Sequence, residues 1–254
     1  MDSRPIGVFD SGVGGLSVVQ ALRKLLPNES IIYFADSANA PYGDKSRQFI
    51  EQRCMLLAQR LIDKNVKAII VACNTATVSS ITTLRDNYDL PIIGVEPGIK
   101  PATENSKASV IGVLATTQTL RSNAFSQLVD QLNDSTEILV QACPGLMEKV
   151  ESLDFNDVNT QQLVSKYIQP LVSAGVDHIV LGCTHYVFLL PLIQHATGPN
   201  IAIVNTASAV TREVAKRLSL AGLLAPDNAV GQIELLTSGS KQRLDKQFEV
   251  LMTL

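Results

Sequence analysis

A chain of 254 residues, 46% hydrophobic and 18% charged, holds enough apolar material for one large core or two modest ones. Its formal charge of −3, without Lys/Arg blocks, argues against nucleic acid or an anionic membrane as partner, and leaves a small molecule as the default. The longest apolar stretch, near residues 186–193, is too short for a bilayer and contains Pro191, and no basic leader precedes the first apolar run, so a soluble cytoplasmic protein with reduced cysteines is expected.

Strand-like runs at 6–9, 31–35, 68–72 and 92–95 alternate with helical stretches near 16–26, 47–64 and 77–88, which is a βαβ series. A second series follows, with strands near 110–114, 137–141, 179–182 and 202–205 and helices near 119–133, 160–174 and 189–196. Ile6 to Ser11 aligns with Ile111 to Thr116 and Cys73 with Cys183, at separations of 67 and 72 residues, as a diverged duplication would produce. Pro97-Gly98-Ile99-Lys100-Pro101 punctuates the chain between the halves, because both prolines disfavour continued regular structure. The stretch from Ser208 opens as an amphipathic helix on Val210, Val214 and Leu218 and returns to the first half. The fold class expected is α/β: two pseudo-twofold related, doubly wound domains, 1–97 plus 208–254 and 98–207, with mainly parallel sheets and the active site in the cleft between them. A homodimer is left open.

Cys73-Asn74-Thr75 and Cys183-Thr184-His185 each end an apolar run, and ligands gather at the carboxyl ends of strands in open α/β sheets. A lone cysteine in that position is more often core, but matched cysteines in matched halves favour chemistry. Moving a proton from one face of an α-carbon to the other requires a base and an acid on opposite sides, a task for one thiolate and one thiol. Asp10 and His185 are the candidate tuners of the pair. Cys54 and Cys143 are assigned to the core. A tetrahedral zinc site from Cys73, Cys183, His185 and Asp10 is the competing reading, but no C-x-x-C or H-x-x-x-H spacing supports it, and no metal is expected.

Asp10-Ser11-Gly12-Val13-Gly14-Gly15 mimics a dinucleotide loop, with Asp36 placed like a ribose-binding acid. Ser17 occupies the third glycine position and Asp10 would repel a pyrophosphate, so backbone N–H groups and the Ser11 hydroxyl approaching a small carboxylate is the better reading. Tyr42 and Gly43 are candidates to hold a distal carboxylate, but on the residues alone an ordinary turn with a surface tyrosine is the better reading. Thr116, Thr117 and Thr119 stand where Ser11 and the glycines stand in the first half, and either bind an anion or cap a helix. Glu151 reads only as a charge in a loop or at a helix edge.

The segments Gly7 to Gly15, Asp36-Ser37 with Pro41-Tyr42-Gly43, Val71 to Thr77, Gly94 to Pro97 and Leu181 to Tyr186 together resemble the glutamate racemases, a cofactor-independent family of the aspartate/glutamate racemase superfamily. The resemblance spans nearly the whole chain. It implies interconversion of L- and D-glutamate for peptidoglycan synthesis, without cofactor or metal. It also implies that Cys73 and Cys183 are the two acid/base thiols, assisted by Asp10 and His185. Ser11, Tyr42, Gly43, Asn74, Thr75, Thr184 and His185 would surround the substrate, and Glu151, eight residues beyond Cys143, would be a further acid. The chain departs from the family's pattern at Gly145 to Lys149, at Asn205-Thr206 and at Val187-Phe188. It starts at its first strand, so activation by a cell-wall precursor through an N-terminal extension is not expected. The rivals are a racemase of another amino acid such as aspartate, a noncatalytic amino-acid-binding module, and the disfavoured dinucleotide-dependent oxidoreductase.

Overall fold

The computed structural model describes residues 1–132, 136–155 and 157–254. The first series comprises β1 (Ile6–Asp10), α1 (Leu16–Leu25), β2 (Ile31–Ala35), α2 (Arg47–Ile62), β3 (Ala68–Val71), α3 (Asn74–Asn87) and β4 (Ile92–Gly94). After α4 (Ile99–Asn105) come β5 (Val110–Ala115), α5 (Thr117–Leu120), α6 (Asn123–Leu132), β6 (Glu137–Ala142), α7 (Leu146–Glu151), α8 (Val158–Ser173), β7 (His178–Leu181), α9 (Leu190–Thr197) and β8 (Ala202–Val204). The chain closes with α10 (Ala207–Leu220), β9 (Ile233–Thr237) and α11 (Lys241–Leu251).

Among the described residues the strands form two parallel sheets, ordered β4-β3-β1-β2-β9 and β6-β5-β7-β8. Without β9, the first order becomes the second when each strand is replaced by its counterpart four places later. Register repeats too: Ile6 pairs with Ala68 and Ile111 with His178, and each reactive-thiol candidate lies five residues beyond that partner. In both sheets the strand order reverses direction between the two central strands, β1 and β3 in one, β5 and β7 in the other. A crevice opens at such a reversal, outside the carboxyl ends of the strands.

Continuous apolar strands suit sheets covered on both faces, and successive side chains sort to opposite faces. Val8 and Tyr33 join Leu114 and Ile179 in a cluster that includes both sheets. Phe9, Ile32 and Phe34 pack with Cys54 and Leu57 instead, and Ile111, Val113 and Val180 form a third cluster.

Several boundaries differ from the sequence reading. Helix α3 starts at Asn74, three residues early, because the Cys73 Sγ caps it by accepting the Ala76 N–H at 3.4 Å. The helix expected over 119–133 is two helices, since Thr116 caps α5 and the Ser122 hydroxyl accepts the Phe125 N–H and starts α6; Asn133 lies outside the described residues. Pro101 does not interrupt regular structure but sits in the first turn of α4, where a missing N–H leaves no bond unmade. Residues Thr184–Leu189 form a 3₁₀ turn ahead of α9. Strand β9 and helices α7 and α11 are additions, and β9 pairs with β2 at the edge of the first sheet.

Candidate active site

Asp10, Cys73 and Cys183 stand at or just beyond the ends of β1, β3 and β7, where each sheet reverses. The thiols of Cys73 and Cys183 line one cleft, about 570 Å³ including its open mouth, with walls from both sheets. Ser11, Tyr42, Gly43, Asn74, Thr75, Thr116, Thr117 and His185 also line it. No lysine or arginine is among the lining residues, so the cleft offers a carboxylate hydroxyl, amide and backbone donors, with His185 as the one basic side chain.

Cys73 faces its own polar chain. The Ser11 Oγ lies 3.7 Å from its Sγ and donates to Asp10 Oδ1 at 3.3 Å, so Asp10 reaches the thiol through a serine rather than directly. The other Asp10 oxygen accepts the Thr184 hydroxyl at 3.0 Å, a bond that crosses from one sheet's loops to the other's. Burial pushes the Asp10 carboxyl up, against the pull of the His185 charge and the Gly12 N–H. Burial likewise pushes the Cys73 thiol up, Asp10 adds to the effect, and the Ala76 N–H opposes it. Cys73 therefore rests as the thiol.

Cys183 faces a different partner. Its Sγ lies 3.8 Å from His185 Nδ1, and His185 Nε2 lies 2.8 Å from Glu151 Oε1. Burial works against charge on His185, but contacts with Cys183 and Glu151 outweigh it and hold the imidazole's proton affinity well above the usual value. Burial opposes the Glu151 anion too, and is overcome by the bond to His185, so that carboxyl is lowered. The Gly14 N–H also points at Nε2, at 3.2 Å. A protonated Nε2 cannot accept it, and the shorter, charge-assisted contact to Glu151 decides between them.

The glycine loop corrects one expectation. Its N–H groups turn to protein side chains rather than to an open anion site: Gly12 donates to Asp10 Oδ1 at 2.9 Å and Val13 to Glu151 Oε1 at 2.8 Å. Close approach explains the glycines, since a Cβ on Gly12 would overlap Glu151 and one on Gly14 would overlap His185. Ser11 alone of the loop lines the cleft. Asp36, the imagined ribose acid, is fully buried, gripped by Arg53 at 2.7 and 3.0 Å, which leaves the dinucleotide reading without its acid. The Tyr42 hydroxyl donates to the same carboxylate at 2.6 Å, so Tyr42 presents its ring to the cleft and its oxygen is already committed.

Thr75, Thr116 and Thr119 form a triangle of hydroxyls at 2.9, 3.0 and 3.1 Å that joins α3 to the start of α5. Thr119, Asp10, Thr184 and Glu151 stand behind the lining rather than in it. Cys143, assigned to the core, is buried but also lines the cleft, as do Asp44, Met147, Glu148 and Tyr186, which the sequence reading missed. Cys143 occupies in the second sheet the place of Asp36 in the first: each backbone N–H donates to the last residue of the neighbouring central strand, Ala115 and Asp10. That equivalence was the available signal for it. Cys54 is buried in the core, where its thiol is pushed up to about 12 by burial. Among the described residues no group of three or more His, Cys, Asp and Glu side chains is arranged to hold a metal, and no helix is long and apolar enough to cross a membrane.

Comparison with known proteins agrees with this architecture. Residues 6–219 match the Asp/Glu/Hydantoin racemase family. A glutamate racemase from Methylococcus capsulatus is 46% identical over 98% of this chain and 92% of its own length. A crystal structure of a glutamate racemase isoform from Bacillus anthracis superposes with a TM-score of 0.91 at 31% identity, covering 100% of this chain and 96% of that one. Another, from Francisella tularensis in complex with D-glutamate, gives 0.87 at 28% identity, with coverage of 100% and 95%. The chain belongs to the Asp/Glu/Hydantoin racemase family, on its glutamate racemase branch, and is an isomerase.

Proposed function

We propose that this enzyme interconverts L- and D-glutamate by proton transfer between Cys73 and Cys183, without cofactor or metal, in the cytoplasm, and so supplies D-glutamate for peptidoglycan. The observation that carries the reading is that two thiols from opposing sheets open into one cleft, each with separate polar support. One thiolate takes the α-hydrogen as a proton, leaving the electron pair on a planar carbon conjugated with the carboxylate. The other thiol delivers its proton to the opposite face, and the two sulfurs end with their protonation states exchanged. Reversal of the roles runs the reaction the other way.

The two sulfurs have different neighbours. Cys73 is held as thiol by burial and the nearby Asp10 carboxylate, while Cys183 has the His185 imidazole 3.8 Å from its sulfur. Asp10 through Ser11, and Glu151 through His185, are the routes by which the sulfurs regain their starting states. Ser11, Asn74, Thr75, Gly43, Thr116 and Thr117 border the space a dicarboxylic amino acid would fill. Thr184 acts by holding Asp10, and Tyr42 by closing one side. The two halves, 1–97 with 208–254 and 98–207, serve as the domains that present one thiol each.

The test is proton NMR of L-glutamate in D₂O with reduced, metal-free enzyme. The α-proton signal should vanish as D-glutamate accumulates, with aspartate exchanging far more slowly. Cys73→Ser and Cys183→Ser should each abolish racemisation. Unchanged α-proton intensity with wild-type enzyme, or full racemisation by either variant, refutes the proposal.

A further inference from the structure

Gln247 lies on α11, far in sequence from both thiols, and its side chain is 3% exposed. Its Nε2 donates to the Glu151 carbonyl at 2.7 Å and to Glu151 Oε2 at 3.3 Å. Arg243, one turn earlier, donates to the same carbonyl at 2.9 Å. Helix α11 follows β9, which is joined to β2 of the first sheet, whereas Glu151 ends α7, which follows β6 of the second. Val13, the other donor to this carboxylate, also comes from the first half. Glu151 thus belongs to one half of the molecule and is held by the other. What it passes on returns to its own half, to His185 and then Cys183.

We propose that Gln247 is a positioning residue: from the C-terminal helix it fixes Glu151, and through Glu151 the His185 ring, so that Cys183 meets its partner nitrogen only while α11 is docked. This rests on the racemase reading solely in taking Cys183 as a reacting thiol. Two hydrogen bonds from one buried amide, to the carbonyl and the carboxylate of the same residue, leave Glu151 little freedom to swing. The alternative, that Gln247 only glues α11 to α7, predicts lost stability without a selective effect on one thiol. The charged and titratable groups facing Glu151 are His185, Arg243, Asp10 and Tyr33, and His185 faces Cys183 and Asp10 as well. None of these is removed when Gln247 is changed. The loss of one donor then raises the proton affinity of Glu151 and weakens its hold on the imidazolium.

Gln247→Leu is the first variant and Arg243→Met, at an exposed position, the second, in case the buried change impairs folding. Glutamate kcat should fall about tenfold in Gln247→Leu, which loses both bonds to Glu151, and less in Arg243→Met, which loses one. KM should hold, since neither side chain lines the cleft, and the acid limb of the kcat profile should move to higher pH. Independently of turnover, alkylation by iodoacetamide at neutral pH, followed by peptide mass spectrometry, should slow at Cys183 and not at Cys73. Equal slowing of both thiols, a KM rise that follows thermal destabilisation, or no change in either variant overturns the proposal. If wild-type enzyme fails to racemise glutamate, that counts against the function proposed above, and the alkylation contrast alone judges Gln247.

Discussion

His185 makes the two thiols unequal. Cys73 has the Ala76 N–H, a serine and, behind the serine, a carboxylate, whereas Cys183 has an imidazole whose far nitrogen is tied to Glu151. The pair also links stability to pH. Glu151 is lowered on folding, so its contribution is complete above the unfolded carboxylate value of about 4.3 and is lost as pH falls through the folded value. His185 is raised, so its contribution is complete below about 6.5 and is lost as pH rises through its folded value. Glu151→Gln should therefore lower Tm most between about pH 4.5 and 6.5, with the gap to wild type narrowing once acid protonates the carboxylate. A gap of constant size across a thermal-melt series would show that the ion pair adds nothing. The placement of Cys73 and Cys183 at strand ends beside one cleft was readable in the sequence because each ends an apolar run and starts a polar one. The role of Glu151 was not, because nothing local marks a carboxylate whose partner is 34 residues away and reached only by packing.

Helix α7 depends on a single backbone conformation. Gly145 precedes it at φ 90°, in the left-handed region, and a Cβ there would also meet Leu163 at 3.1 Å. Gly145→Ala should cost about 1–2 kcal/mol, the price of left-handed backbone for an L-residue. Because α7 carries Met147 and Glu148 at the cleft and Glu151 at its end, kcat should fall along with the melting temperature. Normal activity at reduced stability would separate α7 from the site. Elements with long apolar periods, such as β1, β3 and β7, were readable within a residue or two. Two boundaries set by single side chains were not: α3 depends on a cysteine acting as cap, and the break between α5 and α6 on the Ser122 hydroxyl.

Duplication organises the molecule, and one buried ion pair ties its ends to the first sheet. Lys67 and Glu29 are 0% and 2% exposed and lie against each other. Lys67 Nζ also donates to the Asp2 carbonyl at 2.7 Å, and Glu29 Oε1 accepts the Ala225 N–H at 2.8 Å. Lys67→Met would leave a buried carboxylate without its cation, a loss of about 3–5 kcal/mol that denaturant unfolding would measure. A change below about 1 kcal/mol, the range of exposed pairs, would mean that water reaches Glu29. The sequence by itself determined the parallel α/β grammar, the repeat and the placing of two cysteines just beyond matched strand ends, because strand periodicity and strand ends are local properties of the chain. Only the tertiary structure decided that the glycine loop serves protein side chains, that Tyr42 and Asp36 bind each other, and that a C-terminal helix holds Glu151. Those are contacts between segments distant along the chain, and a donor's choice among acceptors follows from which of them packing brings within about 3 Å.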